Sequence, residues 1–518
     1  MTNLSELLPS GGGQNAVDFT ASGTLNNGTI VGLKSDGTVA VLDPSTVGSP
    51  ADFANTSNVA FPAAAYDGIR NVVHIAFRDN QSGGYVTHCA GSISGSTITW
   101  GTPSTIDTTV AGPKDIDIAF NGSIQFPIVT WCQASGGDLY VKSGTGGSGT
   151  NMNWNGNRLL VASGDNNNCM IAYNPNASNA SSAETLLAYG YQQGNTLYVK
   201  ALTTTNGGIT SVKATAYPAY GGSDQYNPVG LVKIALSNSF ILVSNRNNYT
   251  TGAQGCACYQ VTINSSSITH SSGANIGTGF SITGTTCDES LSSNTGRMAA
   301  DFNQGNTAII TGAFNEGGQA NTLRAYVLTA NGTSVVPSVS SPVDMLPGQS
   351  GNIFYGASTV FDTNANKFVT VVGLGTNSYY AIVLTSTQSG TTFTVESGQT
   401  NLQAQNIYYD QIVSAYSDHS NNVFIASNQN PNTYYRGVMF TAGSLGIDKV
   451  IGITAQAISN GASGTVNLLG GINESQSGLT AGTDYYVDAS TGQLTASSSG
   501  NTFIGTAVSA TTLNIKDL

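Results

Sequence analysis

Seven arginines, six glutamates, four histidines and six cysteines are the residues through which this 518-residue chain could do chemistry. Cleaving a glycosidic bond calls for two carboxylates flanking it, one with a raised pKa. A sialidase-type site adds clustered arginines to hold a carboxylate and a tyrosine nucleophile backed by glutamate. Here Arg70, Arg78, Arg158, Arg246, Arg297, Arg324 and Arg436 are scattered, and Glu184, Glu289, Glu316 and Glu396 are the glutamates of the central region. Glu316, within Asn315-Glu-Gly-Gly, reads as a polar loop acid within reach of a central pocket, although a solvated loop explains it as well. No repeat of the chain carries the Ser-x-Asp-x-Gly-x-Thr-Trp box found in many sialidases. The sequence therefore assigns no catalytic residue, and the chain reads as non-enzymatic.

Metal chemistry is equally weakly signalled. His74 and His88 fall in strands or strand ends, His270 and His419 in turns, with no His-Glu-x-x-His spacing among them. Cys256-Ala-Cys258 with His270 and Cys287 has the ligand types for tetrahedral zinc. Alternate residues of a strand share a face in any case, so one Cys-x-Cys pair means little. Asp115-Ile-Asp117 and Gly164-Asp-Asn-Asn-Asn lack a complete calcium loop and read as a strand start and a turn. Cys89, Cys132 and Cys169 sit in or beside strands and read as small buried hydrophobes. The sequence implies no cofactor and no metal site. Glycan binding is harder to dismiss, since Asn, Gln, Ser, Thr and Tyr crowd the loops. Tyr249, Tyr379, Tyr380, Tyr434 and Tyr435 adjoin them, although each also suits a packed strand or loop position.

Composition sets the frame in which these residues must be held. Only 8% of the chain is charged, net charge is −12, and the pI is about 4.5. An acidic chain lacks the basic face that phosphate contacts need, which argues against nucleic-acid binding. Hydrophobic residues make up 39%, enough for a core and against wholesale disorder. No run approaches the roughly 18 apolar residues of a membrane span, and the first residues show no secretion-signal pattern. Synthesis and folding in a cytoplasm are expected.

The elements that must position any site are strands. Val72-Val-His-Ile-Ala-Phe, Phe126-Pro-Ile-Val-Thr-Trp and Phe368-Val-Thr-Val-Val alternate with period two and are bounded by turn residues. Asn27-Gly28, Asp36-Gly37, Asp67-Gly68, Asn121-Gly122 and Asn331-Gly332 supply hairpin turns. One phrase recurs, a small residue, an aromatic or apolar one, then a polar turn residue. It stands at Ala65-Tyr66-Asp67, Ala119-Phe120-Asn121, Ala172-Tyr173-Asn174 and Ala235-Leu236-Ser237, then at Asp301-Phe302-Asn303, Val360-Phe361-Asp362 and Ala415-Tyr416-Ser417. Successive centres lie about 53–66 residues apart, room for four short strands each. The expectation is an all-β chain whose residues 46–446 form a seven-bladed β-propeller. Packing radially lets each twisted sheet bury both faces.

Residues 1–45 and 447–518 lie outside the repeat and carry further strand candidates, including Thr465-Val-Asn-Leu-Leu, Asp484-Tyr-Tyr-Val and Thr502-Phe-Ile-Gly-Thr-Ala-Val. Because a propeller closes on itself, its two ends emerge close together. One small β-barrel or sandwich built from both termini is expected, with the propeller inserted in it.

The two ends resemble virion structural proteins of tailed bacteriophages, especially marine ones. The resemblance rests on Leu7-Leu-Pro-Ser-Gly-Gly-Gly-Gln-Asn-Ala-Val-Asp-Phe-Thr-Ala-Ser-Gly-Thr-Leu with Ser35-Asp-Gly-Thr-Val, and on two C-terminal runs. These are Gly478-Leu-Thr-Ala-Gly-Thr-Asp-Tyr-Tyr-Val-Asp and Ile504-Gly-Thr-Ala-Val-Ser-Ala-Thr-Thr-Leu-Asn-Ile. The C-terminal pattern is similar to small β-rich capsid-decoration domains, and the resemblance covers about a quarter of the chain. It implies a capsid decoration or head-fibre protein whose base domain docks on the major capsid protein or another virion protein. It also implies a homo-oligomer, a trimer by analogy, located in the virion after assembly in the host cytoplasm. The alternatives are a tail-associated receptor-binding protein recognising a host glycan, or a polysaccharide-cleaving propeller enzyme.

Overall fold

The computed structural model describes residues 15–516 apart from short segments, of which the longest are 54–58, 176–182, 217–223, 249–253, 282–298, 317–321, 338–342, 347–352, 404–411 and 429–434. Regular structure among the described residues is antiparallel β-sheet throughout. The chain divides into two compact units, one made of residues 1–46 with 442–518 and the other of residues 47–441.

The larger unit is a β-propeller. Its described residues form seven sheets, and the innermost strands are Val59–Asp67, Pro113–Asn121, Asn166–Tyr173, Asp224–Lys233, Ala299–Phe302, Ile353–Asp362 and Val413–Ser417. Each packs beside the next, and Val413–Ser417 packs beside Val59–Asp67, so the ring closes. The closing sheet combines both ends of the unit: Val413–Ser417, Asn422–Asn428 and Tyr435–Thr441 are extended outward by Thr46–Val47 and Ala51–Asp52. Trp100 of the first blade fastens this seam. Its Nε1 donates to Ala51 O at 3.1 Å, and its ring meets Phe53 and Phe424 at 5.1 and 5.8 Å.

The recurring phrase has a structural meaning. In the first, second, sixth and seventh blades its polar residue, Asp67, Asn121, Asp362 or Ser417, ends the innermost strand and caps the following turn from a buried position, which satisfies N–H groups that would otherwise be stranded. Asp67 Oδ1 accepts from the N–H groups of Ile69 and Arg70, Asn121 Oδ1 from Ser123 and Ile124, and Asp362 Oδ1 from Asn364 and Ala365. Four residues after each cap stands a left-handed residue, Asn71, Gln125, Asn366 or Asn421, with φ of 53–62°. Asparagine tolerates that region better than most side chains.

In the fourth blade the expected register is wrong. The innermost strand ends at Lys233 and the left-handed residue is Asn238, so Ile234 occupies the capping position. Leu236 lies in the turn instead of closing the strand, and Ala235 and Ser237 lie outside the described residues. The ammonium of Lys233 takes over part of the cap's task by donating to the carbonyls of Ile234 and Leu236.

The smaller unit interleaves the two chain ends. Ala16–Thr20, Ser463–Leu468, Val450–Thr454, Ile30–Leu33 and Val39–Val41 are neighbours in that order in one sheet. The second sheet is wholly C-terminal: Ile472–Asn473, Leu513–Ile515, Thr502–Ala507, Asp484–Val487 and Leu494–Thr495. Ile30, Leu42, Ile453, Val487, Ile504 and Leu513 form a core shared by both sheets. Leu25 and Ile458 exchange both backbone hydrogen bonds at 2.8 Å, and Asn473 Nδ2 joins Thr454 O to Asn467 Oδ1. Gly452 is required here, because a Cβ would lie 2.1 Å from the Asn467 carbonyl oxygen.

Candidate functional site

A cluster of titratable groups lies inside the first blade. Asp67 Oδ2 accepts from Arg70 Nη1 at 2.8 Å and faces His74 Nε2 at 3.7 Å. His74 Nδ1 meets His88 Nε2 at 3.0 Å, Phe120 stacks on His74, and Trp154 meets His88 edge-on. Strand register brings the histidines together: in the hairpin of Val72–Asp79 with Tyr85–Ser94, His74 pairs with Ala90 and His88 with Ala76. Burial pushes both imidazoles below their ordinary value, His88 well below it. Burial also pushes Asp67 up, but the His74 ring, Arg70 and two backbone N–H groups outweigh that and leave it lowered. Among the described residues no hydroxyl or thiol nucleophile joins the cluster, and solvent does not reach the rings. The cluster is built as a buried polar network.

A second cluster is open. Between the outermost strands of the first and second blades lies a groove of about 660 Å³ lined by Asp107, Tyr140, Lys142, Asn157, Arg158 and Leu160, with threonines along one side. Arg158 lies over the Tyr140 ring at 4.5 Å and donates from Nη1 to Asp107 Oδ2 at 3.1 Å and to Thr109 Oγ1. Asp107 Oδ1 caps Thr109 through its N–H and hydroxyl at 2.7 and 2.5 Å. Burial raises Asp107, but those bonds and the charges of Arg158 and Lys142 bring it below the usual carboxylate range. The buried Lys142 ammonium donates to Ile106 O at 2.7 Å.

The other residues weighed for chemistry do not converge. Arg78 covers the Phe61 ring, Arg436 pairs with Asp52 at 2.6 Å, Arg246 and Arg324 lie on strands of other blades, and Arg297 lies outside the described residues. Glu316 is not a loop residue: it ends the strand Thr307–Glu316, where its backbone pairs with Phe280. Glu396 is held by Lys367 at 2.9 Å and by Thr385, Glu184 lies in the strand Ala183–Tyr191, and Glu289 is outside the described residues.

His270 likewise ends a strand, Ile268–His270, because the outer edge of the fourth blade continues past the expected turn. His419 does lie in a turn, beside Asp418. Cys258 is buried, Cys256 shares its strand, and Cys287 is outside the described residues. Among the described residues no group of three His, Cys, Asp or Glu is placed to hold a metal. Asp115 and Asp117 join blades instead, their carboxylates accepting from the N–H groups of Asn168 at 3.1 Å and Ile171 at 2.8 Å. Cys89, Cys132 and Cys169 are buried free thiols, and burial pushes Cys89 up to about 12. Tyr380 and Tyr435 begin strands, whereas Tyr249, Tyr379 and Tyr434 lie outside the described residues. Among the described residues no helix is long and apolar enough to cross a membrane.

Residues 436–514 match the family model of the phage cement protein. The matched stretch runs from the last propeller strand through all the C-terminal strands of the smaller unit, and it supports a phage virion protein at this end of the chain. No curated protein sequence matches the chain. Solved structures similar to it include the Dos1 propeller, at 11% identity over 77% of this chain and 95% of that one, TM-score 0.41. The polysaccharide lyase Uly1 is similar at 8% identity over 82% and 100%, TM-score 0.44. A chain of the Drosophila Plexin A complex with Semaphorin 1b is similar at 8% identity over 77% and 88%, TM-score 0.42.

Proposed function

We propose that the chain is a non-enzymatic structural protein of a bacteriophage virion, a capsid decoration or head-fibre component. The unit formed by residues 1–46 and 442–518 is its docking module, and the propeller is what that module displays. The carrying observation is the phage cement match over residues 436–514, which includes every C-terminal strand of that unit. Its shared core gives the matched segment a fold that depends on the N-terminal strands, since Ala16–Thr20 and Ile30–Leu33 complete the first sheet. The partner is the major capsid protein or another virion protein, and the docked form is a symmetric homo-oligomer, for which a trimer is the working expectation.

Reconstruction of the intact particle tests this reading. Density for the smaller unit at repeated positions on the head lattice is the expected result. Density confined to the tail would replace it with the receptor-binding alternative, and absence from the particle would overturn both. Turnover of a polysaccharide by the purified chain, abolished by changing one carboxylate, would overturn the non-enzymatic reading.

A further inference from the structure

We propose that the groove between the outermost strands of the first and second blades binds a carboxylate-bearing saccharide, with Arg158 reading the carboxylate. The inference concerns the propeller alone and stands apart from the docking reading.

Charge is the first argument. Lys142 and Arg158 share the groove with one carboxylate, Asp107, so its wall carries a positive surplus in a chain of net charge −12. Lys142 is 8% exposed and fixed on Ile106 O, which makes that surplus a permanent part of the wall and not a mobile surface charge. An anionic ligand balances it, and partial burial strengthens the attraction relative to open water.

Preorganisation is the second. Tyr140 beneath the guanidinium and Asp107 at its Nη1 hold Arg158 in one orientation. Nε is buried and has no hydrogen-bond partner among the described residues, which leaves Nη2 as the donor at the exposed edge of a side chain 28% exposed. A planar guanidinium recognises carboxylates through charge-assisted N–H donors, and here Nη2 remains unspent on a side chain that Asp107 and Thr109 already immobilise through Nη1.

The rest of the rim selects among carboxylates. Thr105, Thr108 and Asn157 are exposed and offer hydroxyl and amide groups, while Leu160, 49% exposed, supplies a single apolar contact. That mixture suits a ring bearing hydroxyls on its edges and C–H groups on its face. An acidic peptide would find few apolar contacts for its neighbouring side chains. The volume falls in the ordinary range for small-ligand sites, about 300–1,000 Å³, and the open groove admits a short oligomer.

Calorimetric titration of the full-length chain tests the proposal with four probes: oligogalacturonate, sialyllactose, neutral maltohexaose and an Asp/Glu hexapeptide. Saturable binding of at least one acidic sugar is expected, without comparable binding of maltohexaose or the peptide. Arg158→Gln should weaken that binding about tenfold or more, as loss of a charge-assisted contact predicts. Leu160→Asp, an exposed change that leaves Arg158 and its partners in place, should weaken it severalfold by adding a negative charge at the rim, which keeps the test valid should Arg158→Gln fold poorly. Binding of neither acidic sugar, equal binding of the neutral sugar or the peptide, or indifference to both substitutions would overturn it.

Discussion

His74 Nδ1 and His88 Nε2 lie 3.0 Å apart in a sheet where neither ring is more than 1% exposed. Both are held below their ordinary value by burial, so the folded chain keeps them neutral while the unfolded chain binds protons near pH 6.5. Their contribution to stability is complete above that pH and is lost as pH falls below it. Each histidine adds a slope of at most about 1.4 kcal/mol per pH unit. The lowered Asp67 loses its contribution only further into acid, below the usual carboxylate range. Urea unfolding between pH 7 and 5 should show the loss, and His88→Leu should flatten it. A wild-type profile without slope in that window would contradict the account.

Asp67 and Asp362 occupy the same capping position, yet opposite responses to asparagine are expected. Asp67 faces Arg70 and His74, and its net shift is downward. Removing its charge should cost about 1–3 kcal/mol. Asp362 is fully buried, burial pushes its carboxyl up, and its Oδ2 has no hydrogen-bond partner among the described residues. Asp362→Asn keeps the Oδ1 acceptor, removes an unfavourable charge, and installs the residue that Asn121 already is in the second blade. It should raise the unfolding midpoint at pH 7. Thermal melts of the two variants decide the point: a loss in both would mean that Lys367 pairs with Asp362 more strongly than burial penalises it.

The propeller was legible because its signals are local. Alternating runs mark the second strand of a blade, and the small–aromatic–polar phrase marks the first strand's end. That phrase misled at Ala235-Leu236-Ser237, where Lys233 replaces the aromatic residue and a lysine ammonium substitutes for the side-chain cap. The outer strands of the sheet that closes the ring were not legible, since Thr46–Val47 and Ala51–Asp52 are too short to show a period and their partners lie almost 400 residues away. Both clusters were missed for a related reason. His74 and His88 meet only through hairpin register, and Asp107, Lys142 and Arg158 meet only through the packing of two blades. No spacing in one dimension encodes either.

Trp100 should govern the opening of the ring. It belongs to the first blade but bonds Ala51 and packs on Phe424, so it bridges the sheet in which the unit's two ends meet. Trp100→Ala removes an aromatic contact and one hydrogen bond, and should cost about 3 kcal/mol. Hydrogen exchange should localise the loss, with Tyr435–Thr441 losing protection before the strands of the third blade. Uniform loss across all blades would show that the ring opens elsewhere.

Retention on the particle should be nearly independent of salt. Ion pairs at an exposed interface weaken as the screening length falls, from about 10 Å at 0.1 M to about 3 Å at 1 M. The proposed docking unit is poor in cations: its C-terminal portion holds Lys449 and Lys516 and its N-terminal portion Lys34, against nine Asp and Glu side chains. Of these, Lys34 is committed to Ser22 and Asp36 and Lys516 to Thr506. Asp18, Asp36 and Asp484 are likewise held within the unit, by Thr465, Thr38 and Thr506, so apolar and neutral hydrogen-bonded contacts are expected to carry the attachment, and stronger salt leaves apolar association intact or reinforces it. Sedimentation of particles washed at about 0.1 M and about 1 M sodium chloride measures the fraction retained, and the two fractions should agree. Release at the higher concentration would assign the attachment to ion pairs between this unit's carboxylates and a basic partner surface.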